Sequence, residues 1–487
     1  MTYKKPTLIM REQRPERQII QNLMITDASE DRAIAKHNGM VIFMPFGAPG
    51  DTVDAEVIRK KKNYADAKII KIVSPSPFRI EPFCEHFGVC GGCKWQHLKY
   101  QQQLSIKQKH IRDNLQRIAK IEDLDMLPII SSEKTKFYRN KLEYTFSDKK
   151  WLTEEEIKSN QNFDGAKALG FHIPGRFDKI LQIKNCYLQP APSNDIRLKI
   201  EQFVLEQNWD FSNLHTKTGF LRNLIIRNNE KGEFMIILVV TEHNKEKPVK
   251  FASFVMNEFP SVISVYAAIN NKFNDSLENV EVIKIEGAEY LEETLCGLKF
   301  QIAPLSFFQT NIKQSEKLYE AAIEMINFTG KEIVYDLYTG TGTIAALLSS
   351  KVKQVVGIEY VKSAIDDGNN NLANNNINNV TLVHGDMSKI LNFSFAKKYG
   401  FPDIIFTDPP RAGMHPNVIK QIICLKPKEI VYISCNPATQ ARDVFDLKDF
   451  YDVNKIQPVD MFPQTHHVEN IVHLVKKQVN RENKVNR

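Results

Sequence analysis

Cys435, in Ser434-Cys435-Asn436-Pro437, sits where an Asn-Pro pair halts a strand-like run and leaves a sulfur at its carboxyl end. A thiolate there can add to C6 of a uracil ring, turning C5, otherwise a poor nucleophile, into an enolate carbon able to attack a methylsulfonium. The methylated adduct must then lose its C5 proton, which calls for a general base. Glu469 in His466-His467-Val468-Glu469-Asn470 is the candidate, with His466 and His467 as competitors. The plainer reading makes Cys435 a buried strand cysteine, the role assigned to Cys296 and Cys424, and makes the histidines structural.

A second group of residues could hold the methyl donor. In Asp336-Leu337-Tyr338-Thr339-Gly340-Thr341-Gly342-Thr343 a strand meets a helix, where glycines permit close approach and a helix N-terminus offers free amides. Glu359 ends the next strand about 20 residues on, the position of a carboxylate that accepts ribose hydroxyls. A nicotinamide cofactor and S-adenosylmethionine both fit. Hydride transfer, however, has no use for a cysteine beside the crevice, whereas methyl transfer to a pyrimidine carbon requires one. Asp386 in His384-Gly385-Asp386 is either an acceptor for an adenine amino group or a turn aspartate. Asp408-Pro409-Pro410-Arg411 lies at the carboxyl end of a fourth strand, where ligands of open α/β sheets bind.

Cys84, Cys90 and Cys93 follow a C-x5-C-x2-C spacing with Gly91-Gly92 inside it, a pattern that points to metal ligation. A cluster bound by four thiolates needs one more donor, for which Cys186 is available. Zinc completed by His86 or His97 is the alternative, and spacing alone does not separate the two.

Alternating helical and strand-like segments after Ser315 imply a doubly wound parallel sheet, with strands at 333–337, 355–358, 403–407 and 429–434. Short alternating strands with turns between about Arg14 and Ser76 imply a small OB-like barrel. Its Arg59-Lys60-Lys61-Lys62-Asn63-Tyr64 offers phosphate neutralisation and base stacking, or is an ordinary solvated lysine turn. Ser74-Pro75-Ser76-Pro77 marks a boundary. Residues 99–121 read as one amphipathic helix, 125–306 as strands with charged loops and no catalytic motif, and the Asn-rich 369–379 as a polar helix end.

The net charge is +7, but residues 1–121 hold 21 Lys and Arg against 12 Asp and Glu, so +9 resides there and −2 in the remainder. A basic module fused to a near-neutral body suits a polyanion-binding partner. Seven cysteines, an odd and sparse set, imply reduced thiols and a cytoplasmic location. The longest apolar run, Phe234 to Val240, is too short to span a bilayer, and Met1 to Arg17 lacks an apolar signal core, so no membrane association is expected. Nothing calls for an obligate protein partner.

Taken in order, Pro75-Ser76-Pro77-Phe78-Arg79, Cys90-Gly91-Gly92-Cys93, Phe307-Phe308-Gln309, Asp336-Leu337-Tyr338, Asp408-Pro409-Pro410-Arg411 and Ser434-Cys435-Asn436-Pro437 resemble the RNA uracil-5-methyltransferase family. The resemblance covers nearly the whole chain. It implies an N-terminal TRAM barrel for RNA (14–76), a central α+β domain (77–306), and a Rossmann-like class I methyltransferase domain (307–477) against which the helix of about 97–121 packs. It also implies a 4Fe-4S cluster on Cys84, Cys90, Cys93 and Cys186. S-adenosylmethionine is expected on Gln309, Tyr338, Gly340, Glu359, Asp386 and Asp408, with Cys435 as nucleophile and Glu469 as base. Thr343 departs from the Asn often found at its position. Members with both barrel and cluster resemble the enzymes of large-subunit ribosomal RNA, so a uridine of 23S rRNA, flipped out of its stack, is the expected substrate.

Overall fold

The structure, a computed structural model, describes residues 18–159, 161, 163 and 165–478. Two units emerge: the residues up to Glu81 with His97–Gln102, and Pro82–Gln96 with everything from Gln103 onward. Residues 14–17 of the expected barrel and the expected charged N-terminus, Met1 to Arg17, lie outside the described residues.

In the first unit, period-two alternation folds five strands into a closed barrel. They are Ile19–Ser29, Arg32–His37, Met40–Pro45, Thr52–Lys60 and Tyr64–Ser74, joined in the order first, second, third, fifth, fourth. Val53 and Ala55 point inward and are fully buried, while Asp54 and Glu56 between them stay half-exposed. Asp51 fastens the barrel's exit: it accepts the amides of Ala48 at 2.7 Å and Ser76 at 2.8 Å and pairs with Arg79 at 2.5 Å. Half of the basic stretch is strand, since Arg59 and Lys60 finish one strand and Tyr64 begins the next, leaving Lys61–Asn63 as the hairpin.

The second unit contains two seven-stranded sheets. In the central sheet, Phe234–Val240, the longest apolar run, is buried along its whole length. It pairs parallel with Val262–Ile269 and antiparallel with Leu221–Asn228, which in turn pairs with Lys141–Ser147. Helices Ser193–Glu206 and Lys247–Glu258 cover one face through Ile196, Ile200, Phe251 and Val255. From the other face Ile225, Met235, Ile237 and Val239 join a core with Phe308, Ile312 and Met461.

The second sheet consists of β1 (Ile333–Leu337), β2 (Gln354–Glu359), β3 (Val380–His384), β4 (Ile404–Thr407), β5 (Glu429–Ser434), β6 (Tyr451–Val459) and β7 (Glu469–Lys476). Their spatial order is β3-β2-β1-β4-β5-β7-β6, parallel except for β7, which runs antiparallel to both neighbours. This is a doubly wound, Rossmann-like sheet whose order reverses direction between β1 and β4, the switch point outside which ligands of such sheets bind. Helix Tyr100–Asn114 and the widened turn Leu115–Ala119 pack on it, with Ile111, Leu115 and Ala119 buried among Tyr335, Tyr432 and Val444.

Two sequence readings need correction, and a third, the polar helix end of the Asn-rich tract, holds, since helix Lys362–Asn374 ends within it. Cys296 is no buried strand residue: with Gly297 it forms the two-residue turn between Leu291–Leu295 and Leu298–Ile302, at φ of 47° and 81°. Cys424 lies exposed on helix Pro416–Leu425, on the side turned away from Ile422 and Leu425. The Asn-rich tract is more than a polar helix end. Asn371 accepts the Gln301 amide at 2.7 Å, Asn375 accepts that of Lys299 at 3.0 Å, and Asn379 donates to the Ser349 carbonyl at 2.8 Å. Asn371 and Asn375 thus bond the edge of Leu298–Ile302 that faces away from its hairpin partner Leu291–Leu295, while Asn379 ties the end of the tract to the turn at Ser349.

Candidate active site

The carboxyl ends of β1, β2, β4 and β5 and the start of β7 converge, and strand register brings the candidate residues together. Leu337 opposes Thr407 across β1 and β4, so Tyr338 and Asp408 follow side by side. Ser434 opposes Asn470 across the antiparallel β5 and β7, which places Cys435 opposite Glu469, about 5 Å apart between Cα atoms.

On the β1 side the backbone turns sharply. Tyr338, Gly340 and Gly342 all have positive φ, and Gly342 at 74° caps helix Thr343–Leu348. Asp336 accepts a hydrogen bond from Thr339 Oγ1 and one from the Ala345 amide at 3.1 Å, tying the turn to the helix it enters. Glu359 receives the Gly340 amide at 3.0 Å on one oxygen and those of Tyr360 and Val361 on the other, so its carboxylate is fixed at the crevice edge. Asp386 behaves differently. Its carboxylate caps the next helix by accepting Ser388 N at 3.0 Å and Ser388 Oγ at 2.7 Å, and it pairs with Lys389 at 3.1 Å. Every one of these contacts is local, as the turn-aspartate reading required. Thr343 Oγ1 lies 3.4 Å from Thr341 Oγ1.

Electrostatics set the centre apart. Burial pushes Glu469 up to about 8, helped by repulsion from Asp408 and opposed by Arg411. Burial lifts Asp408 to about 7, and Asp336 to about 7 with Asp408 and Glu359 as like-charged neighbours. The Cys435 thiol is pushed to about 11 by burial, then by the charges of Glu469 and Asp408, while Arg411 pulls it down by charge and hydrogen bond. His467 is held down at about 3 by burial, His466 and Arg411, whose guanidinium lies 3.4 Å from its Nδ1. Two buried carboxyls, Asp336 and Glu469, thus lie with the partly buried Asp408 and Cys435 where each charge biases the others, and the exposed Arg411 reaches in from the rim.

Supporting residues hold this arrangement. The Arg411 carbonyl accepts from Asn436 Nδ2 at 3.0 Å and Thr439 Oγ1 at 3.1 Å, locking the Asp408–Arg411 loop to the Cys435 loop. Asp443, fully buried, accepts the Met414 amide at 2.8 Å and the Tyr432 hydroxyl at 2.7 Å. Lys107 reaches Asp460 at 2.6 Å and the Phe462 carbonyl at 3.0 Å, with both ends of the ion pair fully buried. Gln103 and Gln464 exchange two hydrogen bonds, Nε2 to Oε1 at 3.0 Å and amide to Oε1 at 2.9 Å, and the Gln464 carbonyl accepts the amides of Lys94 and Trp95.

The cysteine loop belongs to the same unit. Burial pushes Cys93 up to about 12 and Cys186 to about 11, each raised further by other candidate cysteines, and Cys186 sits in the central core with Cys90 packed against it. Gly91 donates its amide to the His172 carbonyl at 3.1 Å, where a Cβ would meet that oxygen at 2.6 Å, so only glycine lets the loop approach. Among the described residues no three His, Cys, Asp or Glu are grouped to hold a single metal ion. The two histidines offered for zinc have other partners, His86 Nε2 accepting the Lys184 amide at 2.8 Å and His97 Nε2 lying 3.2 Å from the Gly47 carbonyl.

Comparison with known proteins decides the family. The sequence model described as tRNA (Uracil-5-)-methyltransferase matches residues 287–477, and that of the TRAM domain matches 20–70. A Bacteroides thetaiotaomicron protein named an uncharacterized RNA methyltransferase is 50% identical over 448 residues, 91% of this chain and 99% of that one. The chain belongs to the RNA (uracil-5-)-methyltransferase family. Another such RNA methyltransferase, from Chlorobaculum tepidum, is 37% identical over 92% of this chain and 95% of its own. The crystal structure of Pyrococcus abyssi tRNA (uracil-54, C5)-methyltransferase in complex with S-adenosyl-L-homocysteine superposes with a TM-score of 0.71 at 28% identity, covering 93% of this chain and all of that one.

Within this S-adenosylmethionine-dependent RNA methyltransferase, sequence reading missed Tyr319. Its ring is buried, and burial with the nearby charges of Asp408, Glu469 and Asp336, opposed by the Gln309 side chain, raises its pKa far above the ordinary value. It lies on helix Ile312–Glu324, whose apolar periodicity disguises it as one more core aromatic. Arg411 was noted only as part of a motif; its contact with both the thiol and His467 required the fold.

Proposed function

We propose that this enzyme transfers a methyl group from S-adenosylmethionine to C5 of a uridine in 23S rRNA through a covalent adduct with Cys435. The observation that carries the reading is the meeting of a thiol, a guanidinium and two high-pKa carboxyls, Cys435, Arg411, Glu469 and Asp408, at one strand edge. Cys435 gives its proton to water, the thiolate being stabilised by Arg411, and its sulfur bonds to C6 while the ring's C5–C6 pair shifts toward C5. That carbon takes the methyl group, releasing S-adenosylhomocysteine. Glu469 then removes the C5 proton, and the returning electron pair restores the double bond and expels the Cys435 thiolate. A carboxylate at about 8 suits this task at neutral pH, whereas an imidazole held at about 3 is too weak a base, which favours Glu469 over His467.

Gln309, Tyr338, Gly340, Glu359 and Asp408 line the crevice that would hold the donor, and Asp386 contributes mainly through the turn it caps. Cys186, buried, and the half-buried Cys84, Cys90 and Cys93 would be the four thiolate donors of a 4Fe-4S cluster, whose positive irons would offset the mutual repulsion of the thiolates. The reaction contains no redox step, so these cysteines serve structure or RNA contact.

A transfer RNA is the second reading, favoured by the substrate named for the Pyrococcus abyssi relative. The test is incubation with S-adenosylmethionine and 5-fluorouridine-substituted 23S rRNA or tRNA. Fluorine cannot leave as a proton, so the wild type should form a stable covalent complex with its own substrate and Cys435→Ser none. With ordinary RNA, Glu469→Gln should accumulate the adduct. Active wild-type enzyme that traps neither fluorinated RNA refutes the mechanism.

A further inference from the structure

Phe273 is the most exposed of the large hydrophobic side chains, at 83%. Water normally drives such a ring inward, so its display calls for a cause. Its loop is not slack. Arg222, only 3% exposed, donates to the carbonyls of Asn270 at 2.8 Å, Lys272 at 2.6 Å and Asn274 at 3.1 Å, and to the Asp275 carboxylate at 2.7 Å. Asn270 Oδ1 accepts the Lys272 amide at 3.1 Å and Asn274 Oδ1 that of Ser276 at 3.2 Å. A buried guanidinium is thus spent on immobilising a loop whose tip touches solvent.

The position of that loop relates it to the crevice. Arg222 falls at the register shift in Leu221–Asn228, and Arg227, farther along the same strand, donates to the carbonyls of Ala303 at 2.9 Å and Ser306 at 2.5 Å, just before Phe307-Phe308-Gln309. Five residues of strand set the two clamps roughly 15 Å apart, a few nucleotides of single strand. Lys141, paired with Arg227 across the sheet, and Lys217, 3.9 Å from Asp275, supply positive charge. Asp275 is offset by Arg222 and Lys217, leaving the exposed Glu143 as an opposing charge nearby.

We propose that Phe273 is a stacking platform for an unpaired base of the RNA whose uridine enters the crevice, an inference that rests on the methyltransferase reading above. Its neighbours in the chain, Asn271, Lys272 and Asn274, are polar or cationic, which suits a base with its polar edges and adjoining phosphate better than a protein surface. Because the Arg222 clamp orders the loop beforehand, stacking incurs little further loss of freedom.

The test uses the full chain and a fluorescein-labelled single-stranded RNA, with affinity read by anisotropy and S-adenosylmethionine affinity by calorimetry. Phe273→Ala should weaken RNA binding roughly 5- to 100-fold, raise KM for RNA and leave both kcat and donor affinity unchanged. Phe273→Trp should bind at least as tightly as wild type, and Phe273→Leu should behave like the alanine variant. Unchanged affinity in Phe273→Ala, or full affinity in Phe273→Leu, overturns the platform. If the wild type methylates uridine and Phe273→Ala binds normally, only the platform fails. If binding depends on the ring but no uridine C5 is methylated, the platform stands and the functional reading falls.

Discussion

Binding of S-adenosylmethionine should expel about one proton from the enzyme near pH 7.5. Asp408 titrates at about 7 and Glu469 at about 8, each raised chiefly by burial. At that pH about a quarter of the first and three quarters of the second are protonated, together about one proton. The donor's sulfonium is a fixed positive charge, and an opposite charge within about 4–6 Å lowers a carboxyl pKa by about 1–3 units. That shift takes both groups below the assay pH, and the proton leaves. S-adenosylhomocysteine has the same shape with a neutral sulfur, so it should release much less. Calorimetric titrations in buffers of different ionisation enthalpy give the number directly, as the slope of observed heat against buffer heat. The release should fade above about pH 9, where both carboxyls are already ionised. Equal slopes for the two ligands, or no slope near pH 7.5, would refute the placement of the sulfonium beside these carboxyls.

Two further outcomes concern the rest of the chain. Asp51→Asn should destabilise the barrel by about 2–4 kcal/mol through weakened charge-assisted hydrogen bonds, read as faster amide exchange confined to residues 19–74. Burial raises the Asp51 pKa, but Arg79 and the amides of Ser76 and Ala48 outweigh it and hold the carboxyl below 3.8. Its stabilisation is therefore complete above the ordinary carboxyl range and lost as pH falls through the lowered value; the variant should lack that acid-dependent component. Anaerobically purified protein should contain iron and acid-labile sulfide in the ratio of a 4Fe-4S cluster, diminished in Cys93→Ser. Zinc without sulfide would exclude the cluster.

Much of the architecture could be read from the residues because it rests on local periodicity. Val53 and Ala55 alternate inward, Phe234–Val240 is apolar throughout and becomes a strand buried on both faces, and glycines at 340 and 342 mark the β1 turn. The candidate chemistry was legible where a residue type is unusual for its position, as with Cys435 after a strand. What stayed hidden depends on partners far away in the chain. Nothing near Tyr319 signals that the charges of Asp408 and Glu469 act on it, and the locally satisfied Asp386 has the same sequence appearance whether it meets a ligand or caps a helix. Cys296 and Cys424 were misread because apolar neighbours suggest burial, while a hairpin turn and the outer side of a helix leave them partly or fully open.

The links from Lys107 to Asp460 and from Gln103 to Gln464 have a consequence for synthesis. A ribosome delivers Gln103 and Lys107 some 350 residues before the groups that complement them. Until the final strands emerge, the nascent chain carries Lys107 and Gln103 without the Asp460 and Gln464 that they bind in the fold. The candidate centre is therefore completed at the close of translation, and a prematurely terminated product would contain Cys435 without Glu469 and the links that hold its segment.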